Sequence, residues 1–451
     1  MKSCTPLETE EGRTFFKEID DVLVDWRRLF HKHPEEGWLE YHTTYVLGKE
    51  LSKLDFSLFV GKDALISEQR MGVPDGKKLA QAEERARDLG VPEDWMEKMT
   101  EGHTGLVAQW DTGKVGPHVA FRFDIDALPI LESDDESHTP QQTGFRSVHK
   151  GSMHACAHDG HAAIGLGVAH FIHRFQKQLK GKFTLLFQPA EEGSRGAKAM
   201  VEKGWLDDVD YFLSGHIGVL SLNIGSVAAT TSGFLATTKI NVTFHGKSAH
   251  AGMAPHEGKN ALLAAASATT HLQAITRHGQ GATRVNVGLL KAGSGRNIIS
   301  DNGYMELETR GETTELNEFM VEETKRILQA TAQLHNVTVE IDIVGQGISA
   351  ECDSMWVDRL EQSCESSSTI KNVISSMRIG GSEDVTYMIE RVQQRGGKAT
   401  YMIFGTPLAN GHHHPQFDYD EEVLPIAVET FGRLIFNLIK DSKGSDLKGG
   451  E

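Results

Sequence analysis

One block near the middle of the chain constrains the fold more than any other feature. From about Ala236 the sequence reads "TTKINVTFHG", "GKNALLAAASATTHLQAI", "TRVNVGLLKAG", "NGYMELETRG", "TELNEFMVEETKRILQATAQLHN" and "VTVEIDIVGQG". Alternating apolar and polar residues mark the first, third, fourth and sixth pieces as half-buried strands, and three- and four-residue apolar spacing marks the other two as helices. Strand, helix, strand, strand, helix, strand is the split βαβ order of a ferredoxin-like α+β domain. A chain of 451 residues exceeds what one core usually organises. The block is therefore expected to be an inserted unit, residues 235–346, dividing a first domain into residues 1–234 and 347–451.

The flanking sequence has an α/β character. Phe16, Ile19, Leu23, Trp26 and Phe30 recur at helical spacing within a segment, Phe15 to Leu54, that reads as helical. "LVAQW", "VAFRFDIDALP" and "KFTLLFQPAEEG" are short apolar runs bounded by glycine and proline, with a helical stretch from His161 to Lys180 between the last two. Strands alternating with helices predict a sheet covered by helices. The charged segment 70–103 carries two Val-Pro pairs and reads as short helices of a surface insertion, a solvated decoration in preference to a cover over a site.

Hydrophobic residues at 39% and charged residues at 24% describe a folded, water-soluble chain. The net charge of -17 is spread along the sequence with no lysine- or arginine-rich run, which argues against nucleic acid as a partner. The opening residues lack an apolar core of signal-peptide length, and no window approaches the roughly 20 apolar residues of a membrane helix. The expectation is a cytoplasmic protein without a membrane partner. Four scattered cysteines, Cys4, Cys156, Cys352 and Cys364, form no disulfide framework and are expected to be reduced.

Chemistry-bearing residues fall in four places. "GSMHACAHDGHAA" (Gly151–Ala163) sets Cys156 and His158 one residue apart before a helix. "PAEEG" places Glu191 and Glu192 just after an apolar strand, where open α/β sheets carry their ligand sites. "SGHIG" puts His216 after another apolar run, and "NGHHHPQFDYDEE" closes with three histidines beside a proline. Each fragment alone is usually solvated surface, a hydrogen-bonded bystander or a small hydrophobe. Together they look like loops at the carboxyl edge of one sheet, as a catalytic metal site requires.

"MHACAHDGH", "FQPAEEG", "GHIG", "SAHAGMAPHEGKNALLAAA", "GRN", "GSEDVTYM" and "HHHPQFDYDEE" resemble, in unbroken order from about Glu18 to the carboxyl end, the di-metal peptidase family of aminoacylases, hippurate hydrolases and indole-acetyl-amino-acid hydrolases. The resemblance implies a catalytic α/β domain with a mixed sheet, an inserted domain that serves dimerisation and acts as a lid, and two divalent metal ions, manganese or zinc. It implies Cys156, His158, Glu192, His216 and His413 as metal ligands. His413 stands four residues before Phe417, as the family's closing motif requires, with His412 and His414 as alternatives. Asp124 occupies the place where relatives outside the subfamily carry a histidine; Cys156 would bridge the ions in compensation and Asp126 would orient a ligand histidine. Ala157 stands where glycine is usual.

The resemblance further implies Glu191 as general base and His250 as an oxyanion donor that reaches the site of the other protomer. Asn286, Arg296 and Asn297 in the inserted domain are candidates for binding the substrate's α-carboxylate. Gly381 in "GGSED" is expected to face substrate, with Glu383 close to the ligands, and segments 231–235 and 345–349 to act as hinges. The implied reaction is hydrolysis of an N-acyl or N-aroyl amino acid, with aminobenzoyl-glutamate as first candidate and indole-acetyl-aspartate as its rival. The implied assembly is a homodimer or a heterodimer with a homologous partner chain. In a non-catalytic binding protein of the same fold, loss of the base or of a ligand would be expected, and a redox protein would need a Cys-x-x-Cys pair; the sequence shows neither.

Overall fold

The computed structural model describes residues 6–441, so Cys4 and the outermost residues of the expected first domain lie outside the described residues. Cys156, Cys352 and Cys364 are free thiols.

Among the described residues, fourteen strands build two principal sheets and one short pair. The larger sheet holds β1 (Ser57–Val60), β2 (Leu106–Asp111), β3 (His118–Asp124), β4 (Lys182–Gln188), β5 (Tyr211–Ile217), β6 (Ser226–Ser232), β13 (Asn372–Arg378) and β14 (Lys398–Phe404) in the order β1-β2-β4-β3-β5-β14-β6-β13. Its centre, β4-β3-β5-β14, is parallel; β1 and β2 run antiparallel to their neighbours, and β6 runs antiparallel to β14 and parallel to β13, so the sheet is mixed. Helices cover both faces. Along β3, Val119, Phe121 and Phe123 join the core under the helices Glu10–Lys32, His158–Arg174 and Val423–Asp441, whereas Ala120 belongs to the opposite core beside the helices Ala197–Val201 and Thr386–Gln394.

The smaller sheet is antiparallel, in the order β12-β7-β11-β9, from β7 (Ala236–His245), β9 (Thr283–Ala292), β11 (Asn302–Gly311) and β12 (Thr338–Gly347). Numbered within the block this is 4-1-3-2, the ferredoxin-like arrangement. Ile240, Val242, Phe244, Met305 and Leu307 pack one face against the helices Ala261–Leu272 and Thr314–Leu334. The short strands β8 (Ala249–His250) and β10 (Ile298–Ile299) pair at the outer end of this unit.

Two sequence expectations change. The helical segment Phe15–Leu54 is two helices, Glu10–Lys32 and Tyr41–Leu51. The first ends before Pro34, because a residue preceding proline is pushed out of helical conformation, and the Glu35 carboxylate accepts the amides of His42 and Thr43 at the start of the second. Segment 70–103 is not a solvated decoration. Its helices Gly76–Asp88 and Glu93–Lys98 bury Ala82, Ala86 and Met96 in the main core, joined by the flanking Val91 and Met99, and the Gly102 amide donates to the Tyr41 hydroxyl at 2.9 Å. Charged residues dominate its composition, but the alanine and methionine spacing carries the packing.

Arg27 and His31, one turn apart on the first helix, enter the core as a charged cluster. Arg27 pairs with Asp159 at 3.0 Å, Asp418 at 2.5 Å and Glu421 at 3.0 Å, and His31 bridges Asp159 at 2.8 Å and Glu132 at 2.9 Å. Asp159 opens the helix that begins with His158, so the cluster pins the start of that helix. Burial disfavours the His31 cation, yet the bonds to Asp159 and Glu132 outweigh it and raise its pKa to about 9. The folded protein therefore holds a proton there that the unfolded chain releases near 6.5. Its contribution to stability is complete below that pH and disappears as pH rises towards 9. Urea unfolding between pH 6.5 and 9 is expected to show a steeper loss of stability in the wild type than in His31→Gln.

Candidate metal centre

The carboxyl ends of the central parallel strands bring the four chemistry-bearing segments together, as open α/β sheets do. β3 ends at Asp124, β4 runs into Pro189 and the glutamate pair, β5 carries His216, and the closing histidines follow β14. Cys156 and His158 sit in the turn before the helix His158–Arg174. Ala157 holds φ +64° there, in the left-handed region. This explains why glycine is the usual residue: an alanine in that conformation costs about 1 kcal/mol.

Donor atoms of Cys156, His158 and Glu192 lie within 4.8 Å of one another, and so do those of Cys156, His216 and His412. Cys156 Sγ is common to both groups and stands 3.5 Å from His216 Nε2. Hydrogen bonds fix which nitrogen each histidine offers. His158 Nδ1–H donates to the Asp126 carbonyl at 3.0 Å and carboxylate at 3.2 Å, leaving Nε2 for a ligand. His216 Nδ1–H donates to the Ile217 carbonyl at 2.8 Å, leaving Nε2 beside the sulfur. His412 Nε2–H donates to the Gly218 carbonyl at 2.7 Å, and its buried Nδ1 has no partner among the described residues. His413, 54% exposed, places Nε2 3.6 Å from Glu192 Oε1, while the exposed His414 ring accepts from the Gln416 amide.

His161 also stands in a donor group with His158 and His216. It is not available as a ligand: Nδ1–H donates to Asp124 at 2.5 Å and Nε2 accepts from the Ile217 amide at 2.9 Å. Asp124 thus serves the arrangement through His161, and through Arg122 at 2.5 Å.

The donor set fits a pair of cations. Glu192 Oε1 is buried without a hydrogen-bond partner among the described residues, an arrangement that costs free energy unless a cation meets it. Burial, reinforced by Glu192, Glu383 and Glu191, pushes the Cys156 thiol well above its ordinary value. Burial, then Glu383, Asp384 and Glu192, likewise raises Glu191 far above the usual carboxyl range. Burial raises Glu192 to about 8 and Glu383 to about 7. Four acids facing one spot, Glu191 buried and Cys156, Glu192 and Glu383 partly so, call for positive charge that the neighbouring side chains only partly supply. Burial, helped by His161 and His412, holds His216 well below 6.5, so its ring is neutral as a ligand must be.

Sequence reasoning missed the group beneath these residues. Arg122, fully buried on β3, bonds Asp124, the Gln188 side chain at 2.7 Å and Asp384 at 3.3 Å. Asp384 in turn accepts the amides of Gly196 and Ala197 at 3.1 and 2.9 Å, closing the loop that carries the glutamate pair. The signal was present: a lone arginine in "VAFRFD" and a glutamine in "LLFQP" interrupt strands that are otherwise apolar. Asp126 ties the site together above, taking the Glu192 amide at 2.9 Å as well as His158.

A cleft of about 510 Å³ opens between Glu192 and the smaller sheet. Lys239 and Asn241 on β7, Asn286 on β9, and Glu306 and Glu308 on β11 line it from alternate positions of adjacent strands, the polar face opposite the buried one. Asn286 is thereby brought opposite Glu192. His250, Arg296 and Asn297 are not: they cluster at the outer end, exposed, with His250 opposite Ile298 and the Ala251 amide bonded to the Asn297 carbonyl at 2.9 Å. Gly381 sits at the junction of the two units, where its carbonyl accepts the Leu235 amide at 2.8 Å. Glu383 lies beside the donors and accepts from the Tyr401 hydroxyl at 3.2 Å. A larger cavity of about 780 Å³, walled by Asp418 and Glu421 among others, holds none of the donors.

Comparison with known proteins agrees with this architecture. The profile of the peptidase family M20/M25/M40 matches residues 120–437. The chain is 44% identical over 429 residues to one of the chains of the p-aminobenzoyl-glutamate hydrolase of Escherichia coli (strain K12), the one designated A, covering 95% of this chain and 98% of that one. It is 43% identical to the indole-3-acetyl-aspartic acid hydrolase of Enterobacter agglomerans, over 94% and 97% of the two chains. The crystal structure of an aminobenzoyl-glutamate utilization protein from Klebsiella pneumoniae superposes with a TM-score of 0.81 at 39% identity, covering 94% and 98%. The chain belongs to the M20 peptidase family and is a hydrolase. Among the described residues no helix is long and apolar enough to cross a membrane.

Proposed function

We propose that the protein hydrolyses the amide bond of N-aroyl or N-acyl amino acids, with p-aminobenzoyl-glutamate as principal substrate and indole-3-acetyl-aspartate as the second candidate. The observation that carries this reading is the convergence of two donor groups on Cys156, one with His158 and Glu192 and the other with His216 and His412, with the Glu191 carboxyl, unbonded among the described residues, beside them and the cleft above. The names of the two relatives supply the substrate class.

Cys156, His158 and Glu192 would hold one divalent ion, and Cys156 and His216 would hold the second. The closing loop offers His413 beside Glu192 and His412 beside His216, and the metal content of His412→Ala and His413→Ala separates them. When bound, the ions lower the pKa of a water from 15.7 to about 7 and stabilise charge on the carbonyl oxygen. A thiolate donor suits zinc and the carboxylate donors accept manganese.

The remaining work falls to side chains. Glu191 receives the proton of the attacking water on its carboxylate and returns it to the leaving amide nitrogen, so that amide and water yield a carboxylic acid and an amino acid. Asn286 orients the substrate from the sheet above. His250, Arg296 and Asn297 lie far from their own chain's donors, which supports a role towards a second copy or a homologous partner chain. Closure of the two units over substrate, pivoting at residues 231–235 and 345–349, would exclude water.

Assays of the purified protein with each amide, in manganese and in zinc, test the reading: turnover of aminobenzoyl-glutamate with either metal is expected, and turnover of neither amide contradicts it. Asp126→Ala tests the orientation of the donors. Freed from its carboxylate partner, the His158 ring and the Glu192 loop lose their alignment, and metal affinity is expected to fall by about 10- to 100-fold, read by competition with a chelating dye.

A further inference from the structure

Arg195 lines the cleft one turn beyond Glu192. Its Nε donates to the Glu192 carbonyl at 2.8 Å and Nη1 to the Gly72 carbonyl at 3.2 Å. Among the described residues no carboxylate pairs with it. A guanidinium carries five N–H donors, so three remain for a ligand. Glycines enclose the group: a Cβ at Gly37 would come within 2.3 Å of Nη2, and one at Gly72 within 2.8 Å of Cδ. The guanidinium is thus held in a cradle that any larger side chain at those positions would fill.

The cleft's other cation is already satisfied. Lys239 is bonded to Glu308, which also accepts from Arg310 at 2.9 Å. Glu36, Glu306 and Glu308 also line the cleft, and its other polar side chains, Asn241 and Asn286, are neutral, so Arg195 is the lining cation left to meet a second negative charge on a bound substrate. A fork of unpaired N–H groups, fixed beside a metal donor and surrounded by acids, is matched by a carboxylate in bidentate contact.

We infer that Arg195 receives the side-chain carboxylate of the substrate's amino acid and makes the enzyme selective for amides of dicarboxylic amino acids. The inference rests on the amide-hydrolase reading above and names the substrate class for that site. Arg195 touches substrate and sets specificity; it takes no part in proton transfer.

The test compares kcat/KM of the metal-loaded protein for aminobenzoyl-glutamate and aminobenzoyl-glutamine, which differ only in the charge at the side-chain end. Wild type is expected to favour the glutamate amide by about 100-fold, the scale of hydrogen bonds to a charged group. Arg195→Gln is expected to bring the two substrates within a few-fold by losing activity on the glutamate amide alone, and to weaken inhibition by free glutamate but not by free glutamine. Arg195→Lys, which keeps the charge, is expected to retain part of the preference. An equal loss on both substrates in Arg195→Gln would show that the side chain only props the Glu192 loop, and would overturn the inference. A wild type that cleaves both amides equally would overturn it without any variant. Cleavage of neither defeats the amide-hydrolase reading instead, so the two failures are distinguishable.

Discussion

Glu191→Gln is expected to lower kcat by about a thousand-fold, within the range a positioned general base contributes, while metal content and KM stay close to wild type. Glutamine keeps the size of the side chain and cannot accept a proton. The carboxyl of Glu191 makes no hydrogen bond among the described residues and is buried beside Glu192, Glu383 and Asp384. It therefore has no role in holding the loop that its loss would disturb. Glu192 differs, with its amide held by Asp126 and its Oε1 facing the donors; a matching variant there should lose metal together with activity. Steady-state kinetics and elemental analysis on the same preparations separate the two outcomes. Equal kcat in the wild type and Glu191→Gln would remove Glu191 from the reaction.

Arg122→Met is expected to cost about 3 to 5 kcal/mol in unfolding free energy, the penalty for leaving buried charges without their partner. Arg122 is fully buried, and its guanidinium offsets Asp124 and Asp384, which are buried as well. Burial opposes the arginine's charge, but Asp124 and Asp384 more than compensate and raise its pKa. Burial likewise opposes ionisation of Asp124, yet Arg122, then His158 and His161, hold it well below the usual carboxylate range. Methionine matches the volume and supplies none of the five donors. Urea denaturation of wild type and variant measures the difference, and a change below about 1 kcal/mol would mean that other groups neutralise the two aspartates.

The smaller sheet and its two helices were legible because the strands alternate and the helices repeat at near 3.6 residues, two signals that survive without tertiary context. The residues that gather at the strand ends were legible because cysteine, histidine and paired glutamates are conspicuous when each follows an apolar run. Other features depend on distance through space. The bridge from Arg122 to Asp384 spans 262 residues of sequence, and no local pattern announces it. The neighbouring histidines at 412 and 413 differ in what their nitrogens meet, which only the positive φ of His413 and the carbonyl of Gly218 decide. His161 resembles His158 in sequence, but the Ile217 amide occupies its lone pair. Segment 70–103 misled through its charge, since a few buried alanines and methionines suffice to seat a short amphipathic pair of helices.

Anomalous diffraction from crystals grown with manganese or zinc tests the shared-sulfur site most directly. Two peaks are expected on either side of Cys156 Sγ, one reached by His158 and Glu192 and the other by His216. Peaks elsewhere, or a thiol at 156 in contact with no ion, would contradict it.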